Sequence, residues 1–379
     1  VKFDLSDDQK LLQQRIGDFA RDKIAPGVDE RDENEFFDRT LYDEMGSLGL
    51  TGLCYSRDLG GSGGTYLDFA LAVEEVSKTD DSLASSLSAS VFLCQWPISQ
   101  YGTEDQKQKY LKPLAEGRHL GAFALTERNA GSDVAGMQTT AVRQGGEYIL
   151  NGGKIFITNG GEAETYVVFA MTDPAKGSKG ISAFILPKGL PGFNFGKREK
   201  KMGIRGSVTR ELIFENVKVP ADQLLGAEGQ GFKIAMTALD GGRIGVAAQA
   251  VGIGQAALDH AIRYAKERVQ FGKPIASQQI VAFMLANMAT RLEAARLLTY
   301  QAAYAKDEGR PFSKEAAMAK SYASDTAMAI ATDAVQIFGG YGFSREYPVE
   351  RLMRNAKITQ IYEGTNQIQN IVIASALLR

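Results

Sequence analysis

Apolar positions follow a helical period from Ser6 to about Pro113. Ser6 precedes Asp7, Asp8 and Gln9, then Leu11, Leu12, Ile16, Phe19 and Ala20, which predicts a capped helix with one apolar face. The run Leu59-Gly60-Gly61-Ser62-Gly63-Gly64 breaks the pattern before a second helix over 67–76. It reads as a turn between helices, with a phosphate cradle as the alternative. From about Gly121 to Val219 the period shortens to that of strands. Thr139–Gln144, Gly145-Gly146 and Glu147–Leu150 predict a hairpin. Lys154–Thr158, Thr165–Thr172, Ile181–Leu186 and Thr209–Phe214 are further strand-like runs, rich in β-branched and aromatic residues. No helices separate them and no GxGxxG has the right flanks, so a compact β-barrel or sandwich is expected rather than a Rossmann unit. From about Gly231 to Arg379 helices return, over 232–269, 280–306 and 314–339. At ~1.5 Å per residue the first would exceed ~50 Å. Glycine inside a helix costs ~1 kcal/mol relative to alanine, so Gly241 and Gly242 mark places where something packs close to the backbone. Ala316, Ala317, Ala319, Ala323 and Ala327 form a face suited to tight helix packing.

The expected fold is therefore α+β and multidomain: an N-terminal α-helical domain (1–118), a middle β-barrel or sandwich domain (119–230) and a C-terminal helical bundle domain (231–379). Such a bundle often buries a further face in an oligomer. The 379 residues are 44% hydrophobic and 23% charged, ordinary for a soluble globular chain of two or three domains. A net charge of −2 argues against a nucleic-acid binder, and no run of about 18 apolar residues offers a membrane span. Cys54 and Cys94 match no disulfide scaffold or metal motif and read as ordinary buried residues. His119 and His260 lie far apart, so no metal site is expected. The chemistry then falls to carboxylates or a bound cofactor. The opening Val1-Lys2-Phe3 shows no charged-then-apolar leader, which fits a bacterial cytoplasmic protein and equally a matured mitochondrial-matrix one.

Six segments carry candidate chemistry, each beside a plainer reading. Phe123-Ala124-Leu125-Thr126-Glu127-Arg128-Asn129-Ala130-Gly131-Ser132-Asp133 is a strand ending in a hydroxyl-rich turn; it suits a polar heterocycle or is only a polar turn. In Lys154–Gly161, Phe156 and Thr158 share one strand face, fit to stack on and bond a flat ring, or simply to join the core. Asp240 and Arg243 sit one helical turn apart, as a surface ion pair or as a clamp over Gly241 and Gly242. Arg268 complements a helix end or grips a pyrophosphate. Gln336-Ile337-Phe338-Gly339-Gly340 is a helix stop or a close approach for a ligand. Glu363, between Tyr362 and Gly364, is a solvated carboxylate or, in an apolar setting, a proton-transfer group.

Taken in order across the whole chain, these segments, together with Met202-Gly203-Ile204-Arg205-Gly206-Ser207, resemble the acyl-CoA dehydrogenase family, most closely its short-chain, butyryl-type members. The resemblance implies FAD, an acyl-CoA substrate, an electron-transferring flavoprotein as partner and a homotetramer built as a dimer of dimers. Phe123, Leu125, Thr126, Gly131 and Ser132 match flavin contacts. Phe156, Ile157 and Thr158 match the wall beside the isoalloxazine ring, with Thr158 bonding near N5. Arg268, Phe271 and Gln279 match positions that bind FAD across a subunit interface. Gln336, Gly339 and Gly340 match the adenosine-diphosphate site, and Thr365 and Gln367 match further FAD contacts. Ser132, Leu239, Asp240, Arg243, Tyr362 and Gly364 match acyl-CoA positions, and Glu363 matches the catalytic base.

The implied reaction is removal of the α-proton by Glu363, with the β-hydrogen leaving as hydride to flavin N5. The thioester oxygen would be held by the Glu363 N–H and a ribityl hydroxyl. The same chemistry run backwards, as an enoyl-CoA reductase, is the alternative. Gly242 stands where isovaleryl-type members place their base, and Ala84 where glutaryl-type members carry an arginine. The acyl tail is expected against the helix 83–96 and near Tyr362, where Phe92 and Trp96 shorten the pocket if they face it. Arg128, where the family usually has proline, is expected to loosen its turn and add positive charge.

Overall fold

The computed structural model describes residues 4–378, so Val1-Lys2-Phe3 of the leader reading lie outside the described residues. Helix α1 (Asp7–Phe19) opens on a full capping box between Ser6 and Gln9. Ile16 and Ala20 are buried, but Leu11 is exposed. Adjacent residues lie about 100° apart on a helix, and the narrow buried face of α1 takes in Leu12 but leaves Leu11 outside. The run 59–64 is a packing turn: a Cβ on Gly61 would collide with the Tyr55 and Gly52 carbonyls, which leaves no cradle for phosphate. Helix α2 (Tyr66–Ser77) and helix α3 (Asp81–Ser88) follow, and α3 runs on through wider turns at Ala89–Gln95. Cys94 is buried, whereas Cys54 is only half-buried.

The middle of the chain forms one eight-stranded sheet: β1 (Gly121–Ala124), β2 (Thr140–Gln144), β3 (Glu147–Thr158), β4 (Thr165–Met171), β5 (Ile181–Pro187), β6 (Phe193–Arg198), β7 (Thr209–Pro220) and β8 (Leu224–Leu225). The order is β6-β7-β3-β2-β4-β5-β8, with β1 added parallel to β4. The runs 147–150 and 154–158 are a single strand, not two. Gly152 and Gly153 pair with Phe214 and Ile213, and a Cβ on Gly152 would press into Thr139. These glycines permit close approach of a neighbouring strand rather than a turn. Strand β6 was not anticipated, because Phe193-Asn194-Phe195 is a short alternation hidden behind Pro191-Gly192.

Helices α4 (Gly231–Glu267), α5 (Gln279–Asp307), α6 (Ser313–Phe338), α7 (Val349–Thr359) and α8 (Asn366–Leu377) complete the chain. The glycines of α4 let other helices approach. A Cβ on Gly252 would strike Glu74 and Ser77 of α2, and one on Gly245 would strike Ser88 and Phe92. The alanine face of α6 is buried throughout. No helix among the described residues is long and apolar enough to cross a membrane.

Candidate active site

A cleft of about 660 Å³ opens where the sheet, α3, α4 and the α7–α8 turn converge. From the sheet it receives Phe123, Leu125, Thr126, Gly131, Ser132, Phe156, Ile157 and Thr158. Helix α4 supplies Leu239 and Arg243, and the turn between α7 and α8 supplies Tyr362, Glu363, Gly364 and Thr365. Fourteen positions singled out in the sequence thus meet in one place, though they span the chain from 123 to 365.

The turn after β1 is held from beneath. Lys154, wholly buried, donates to Glu127 Oε1 (2.7 Å) and to the Leu125 carbonyl (3.1 Å). The same carboxylate accepts from the backbone N–H groups of Gln138 (2.6 Å) and Thr139 (3.0 Å). Burial alone would push Glu127 up, but Lys154 and these donors bring it below the ordinary glutamate range. Arg128 does not loosen this turn: backbone bonds pair Glu127 with Ala130, and the Arg128 guanidinium ends on Glu211 (2.9 Å).

Alternation does not bring Phe156 and Thr158 together. The β3–β7 register slips between Lys154 and Ile157, Phe156 adopts φ 56°, and all four residues from Ile155 to Thr158 line the cleft. Such a bulge re-aims side chains next to a site. Phe156 is 59% exposed, an unusual amount for a phenylalanine in a strand. The hydroxyls of Thr126, Ser132 and Thr158 bond no protein group among the described residues, and space is open above Gly131. An uncovered aromatic ring ringed by free hydroxyls fits a flavin, which has a flat face and a polar edge.

Glu363 sits in a turn with φ 53°, followed by Gly364 at φ 91°. A non-glycine residue in the left-handed region costs ~1–3 kcal/mol and persists only where its surroundings hold it. Gln369 Nε2 donates to the Gly364 carbonyl (2.7 Å), and the Thr365 hydroxyl caps α8 by accepting from the Ile368 N–H. Glu363 Oε2 is buried and accepts no hydrogen bond. Burial pushes the carboxyl up to about 7, against the opposing pull of Lys320 and Arg243. A Cβ on Gly242 would collide with this oxygen, so glycine there is what admits the carboxylate. The Glu363 N–H donates to no backbone carbonyl among the described residues and is free for a substrate oxygen.

Asp240, half-buried, and the buried Arg243 form a pair at 2.6 Å, not a surface one. Arg243 lines the cleft, while Asp240 stands behind it and also accepts from Ser313 (2.9 Å). Gln367 is exposed and outside the cleft. Ser85, Ser88, Ala89 and Leu93 face the cleft from α3 and its extension. Phe92 does not: it packs on Phe69 (4.9 Å between ring centroids) and Tyr66 (5.9 Å), so its bulk leaves the cleft unshortened, and Trp96 is likewise absent from the lining.

Arg268, Gly339 and Gly340 lie at a second hollow of about 520 Å³. Phe271 is 94% exposed, and Gln279 and Gln336 are also exposed; within one chain none reaches the main cleft. Two functional neighbours escaped the sequence reading. Gln249, 1% exposed, accepts from the Tyr362 hydroxyl and donates to the Asp81 carbonyl (3.0 Å). Lys320, wholly buried, donates to the Gly364 carbonyl (2.9 Å). The available signal was a polar residue inside an apolar stripe: Gln249 among alanines, and Lys320 on the alanine face of α6.

The chain matches the acyl-CoA dehydrogenase N-terminal domain over residues 6–118, the middle domain over 122–217 and the C-terminal domain over 229–378. It belongs to the acyl-CoA dehydrogenase family and is a FAD-dependent oxidoreductase. It is 58% identical over 383 residues to "Acyl-CoA dehydrogenase, short-chain specific" of Megasphaera elsdenii, covering 100% of both chains. The solved butyryl-CoA dehydrogenase of that organism superposes with a TM-score of 0.99 at 57% identity, again over 100% of both. A chain solved in work on the electron transferring flavoprotein of Acidaminococcus fermentans matches equally, with TM-score 0.99, 59% identity and full coverage of both.

Proposed function

We propose that the chain oxidises a short-chain, butyryl-type acyl-CoA to its α,β-enoyl form, with Glu363 as the base. The observation that carries this is the unbonded, buried Oε2 of Glu363, in the same cleft as the exposed Phe156 ring. When bound, the flavin supplies the acceptor for the β-hydrogen as hydride. Phe123 to Ser132 and Phe156 to Thr158 would hold its ring. Glu363 Oε2 would take the α-proton as the α-C–H bond breaks. The free Glu363 N–H would bond the thioester oxygen, where negative charge develops. Arg243, fixed by Asp240, would orient the ligand beside Ser132 and Leu239. A carboxyl near 7 matches a base working at neutral pH.

The same proposal covers the wider assembly. The division at 118/119 and 230/231 is supported by strands beginning at Gly121 and helices resuming at Gly231. A homotetramer, a dimer of dimers, is supported by exposed Phe271, Ile280 and Phe283 beside the open hollow at Arg268. There a second subunit would let Arg268, Phe271, Gln279, Gln336, Gly339 and Gly340 complete an FAD site. An electron-transferring flavoprotein as acceptor is supported by the Acidaminococcus match. A bacterial cytoplasmic location is supported by the bacterial relatives. The name of the Megasphaera relative favours oxidation over the reverse reduction.

Anaerobic bleaching of the FAD-loaded enzyme by a ladder of saturated acyl-CoAs tests the reading. Bleaching should peak at butyryl-CoA, and Glu363→Gln should keep FAD yet bleach at least ~10³-fold more slowly. Near-normal bleaching in that variant would remove Glu363 as the base. No bleaching of the wild type by any of the ladder would remove the substrate class.

A further inference from the structure

Lys320 is the one residue on the buried alanine face of α6 that carries a charge: 316, 320, 323 and 327 share that face, and Lys320 is 0% exposed. A buried ammonium demands compensation. It donates to the Gly364 carbonyl (2.9 Å) and to Asn366 Oδ1 (2.9 Å), and makes no direct bond to a carboxylate among the described residues. Asn366 in turn donates to Asp325 (2.8 Å) and to Ser324 (2.9 Å), and its own N–H returns to the Gln360 carbonyl (3.1 Å). Both ends of the left-handed Glu363–Gly364 turn are thereby tied to α6.

We propose that Lys320 is a positioning residue for Glu363, holding the strained turn through the Gly364 carbonyl and setting its amine behind the carboxylate, where its charged form favours the ionised carboxylate. This rests on the reading of Glu363 as base. The route of the hydrogen bonds is what gives the arrangement its use. An ammonium bonded to the carboxylate itself would take one of its lone pairs and lower its basicity further. Bonded to the next carbonyl, it fixes the backbone and favours the ionised carboxylate, while Oε2 stays unoccupied.

The charged groups around the pair are few. Lys320 faces Glu363 from α6 and Arg243 faces it from α4, with Asp240 neutralising Arg243; Asp325 of α6 faces Lys320, and Tyr362 adjoins the carboxylate. Burial pushes Lys320 down to about 7, with Glu363 pulling it back up, so the two groups share one titration range.

The test is the pH dependence of anaerobic bleaching by butyryl-CoA in FAD-loaded enzyme. Lys320→Met should move the acid limb to higher pH by about one unit and slow bleaching about tenfold or more, with FAD retained. Lys320→Arg should restore the limb. Lys320→Gln keeps a donor for Gly364 without the charge; it should show the shifted limb but a smaller loss of rate, and it carries the comparison if the Met variant fails to fold. Folded, flavin-loaded neutral variants with an unmoved limb and rates within about twofold of wild type would overturn the proposal. Glu363→Gln run in parallel separates the two failures. If that variant is inactive while the Lys320 variants behave as wild type, only the role of Lys320 falls. If it is active, the base assignment falls with it.

Discussion

Two buried lysines serve two glutamates in this molecule, and they leave them in opposite states. Lys154 bonds the Glu127 carboxylate directly at 2.7 Å, and two backbone N–H groups bond it as well, so that both oxygens have donors. Glu127 is accordingly held below its ordinary range. Lys320 also lies behind a glutamate, yet its protons go to a carbonyl and an amide. Glu363 keeps an oxygen with no partner and rises to about 7. Burial pushes both carboxyls up and each has a cation nearby; what reverses the outcome at Glu127 is that the hydrogen bonds end on its carboxylate. A carboxylate with donors on both oxygens is a structural post; one left short of donors can take a proton.

Breaking the structural pair should have the largest effect on stability. Lys154→Met leaves Glu127 buried without its cation beneath the turn that lines the flavin side of the cleft. Loss of one partner of a buried pair costs about 3–5 kcal/mol. Chemical unfolding of the FAD-loaded protein should show that loss, together with easier release of flavin. A variant within about 1 kcal/mol of wild type would mean that Gln138 and Thr139 hold Glu127 unaided.

The pH dependence of stability sharpens the contrast, because the two glutamates carry opposite signs. Burial raises Glu363 from 4.5 to about 7 in the folded state. The stability linked to it is therefore fully present below about 4.5 and is lost as pH rises through about 7. Glu363→Gln should gain thermal stability over wild type across that interval and hold a constant lead above it. Glu127 is lowered in the folded state, so its contribution is present above about 4.5 and is lost as pH falls through its folded value. Glu127→Gln should be least stable relative to wild type at neutral pH, and the gap should close in acid. Melting curves of both variants from about pH 8 down to about pH 3 check this, and parallel trends would refute the comparison.

The sequence made the helices of the C-terminal half legible, because their apolar and alanine positions run uninterrupted for several turns. Strand β3 was harder. Its internal Asn151-Gly152-Gly153 looks like a turn, and only the packing of Thr139 against Gly152 shows why glycine is needed in mid-strand. The cleft residues were legible through their ordered motifs rather than through periodicity. The bulge at 154–157 shows the limit of alternation, since four successive residues reach the same space. Lys320 and Gln249 were invisible for a different reason. Their roles depend on which turn, 113 residues away in the case of Gln249 and Tyr362, folds back against their helix. The same dependence applies to Asp240 and Arg243, whose spacing permits a surface pair and which the fold instead holds as a largely enclosed ion pair.

Arg128 marks the smallest expected effect and isolates what the Lys154 post does. Its side chain is 77% exposed, and its partner Glu211 lies at 2.9 Å. Arg128 keeps Glu211 below its ordinary range, but an exposed pair of this kind contributes ~1 kcal/mol at most and less as salt rises. The turn that carries Arg128 is closed by the Glu127–Ala130 backbone bonds and anchored by Lys154, neither of which involves the guanidinium. Arg128→Ala should therefore melt close to wild type, retain FAD, and show a difference that shrinks further in high salt. A large, salt-independent loss of flavin in that variant would place Arg128 among the groups that hold the cofactor, and the turn would then depend on both of its charged residues rather than on Glu127 alone.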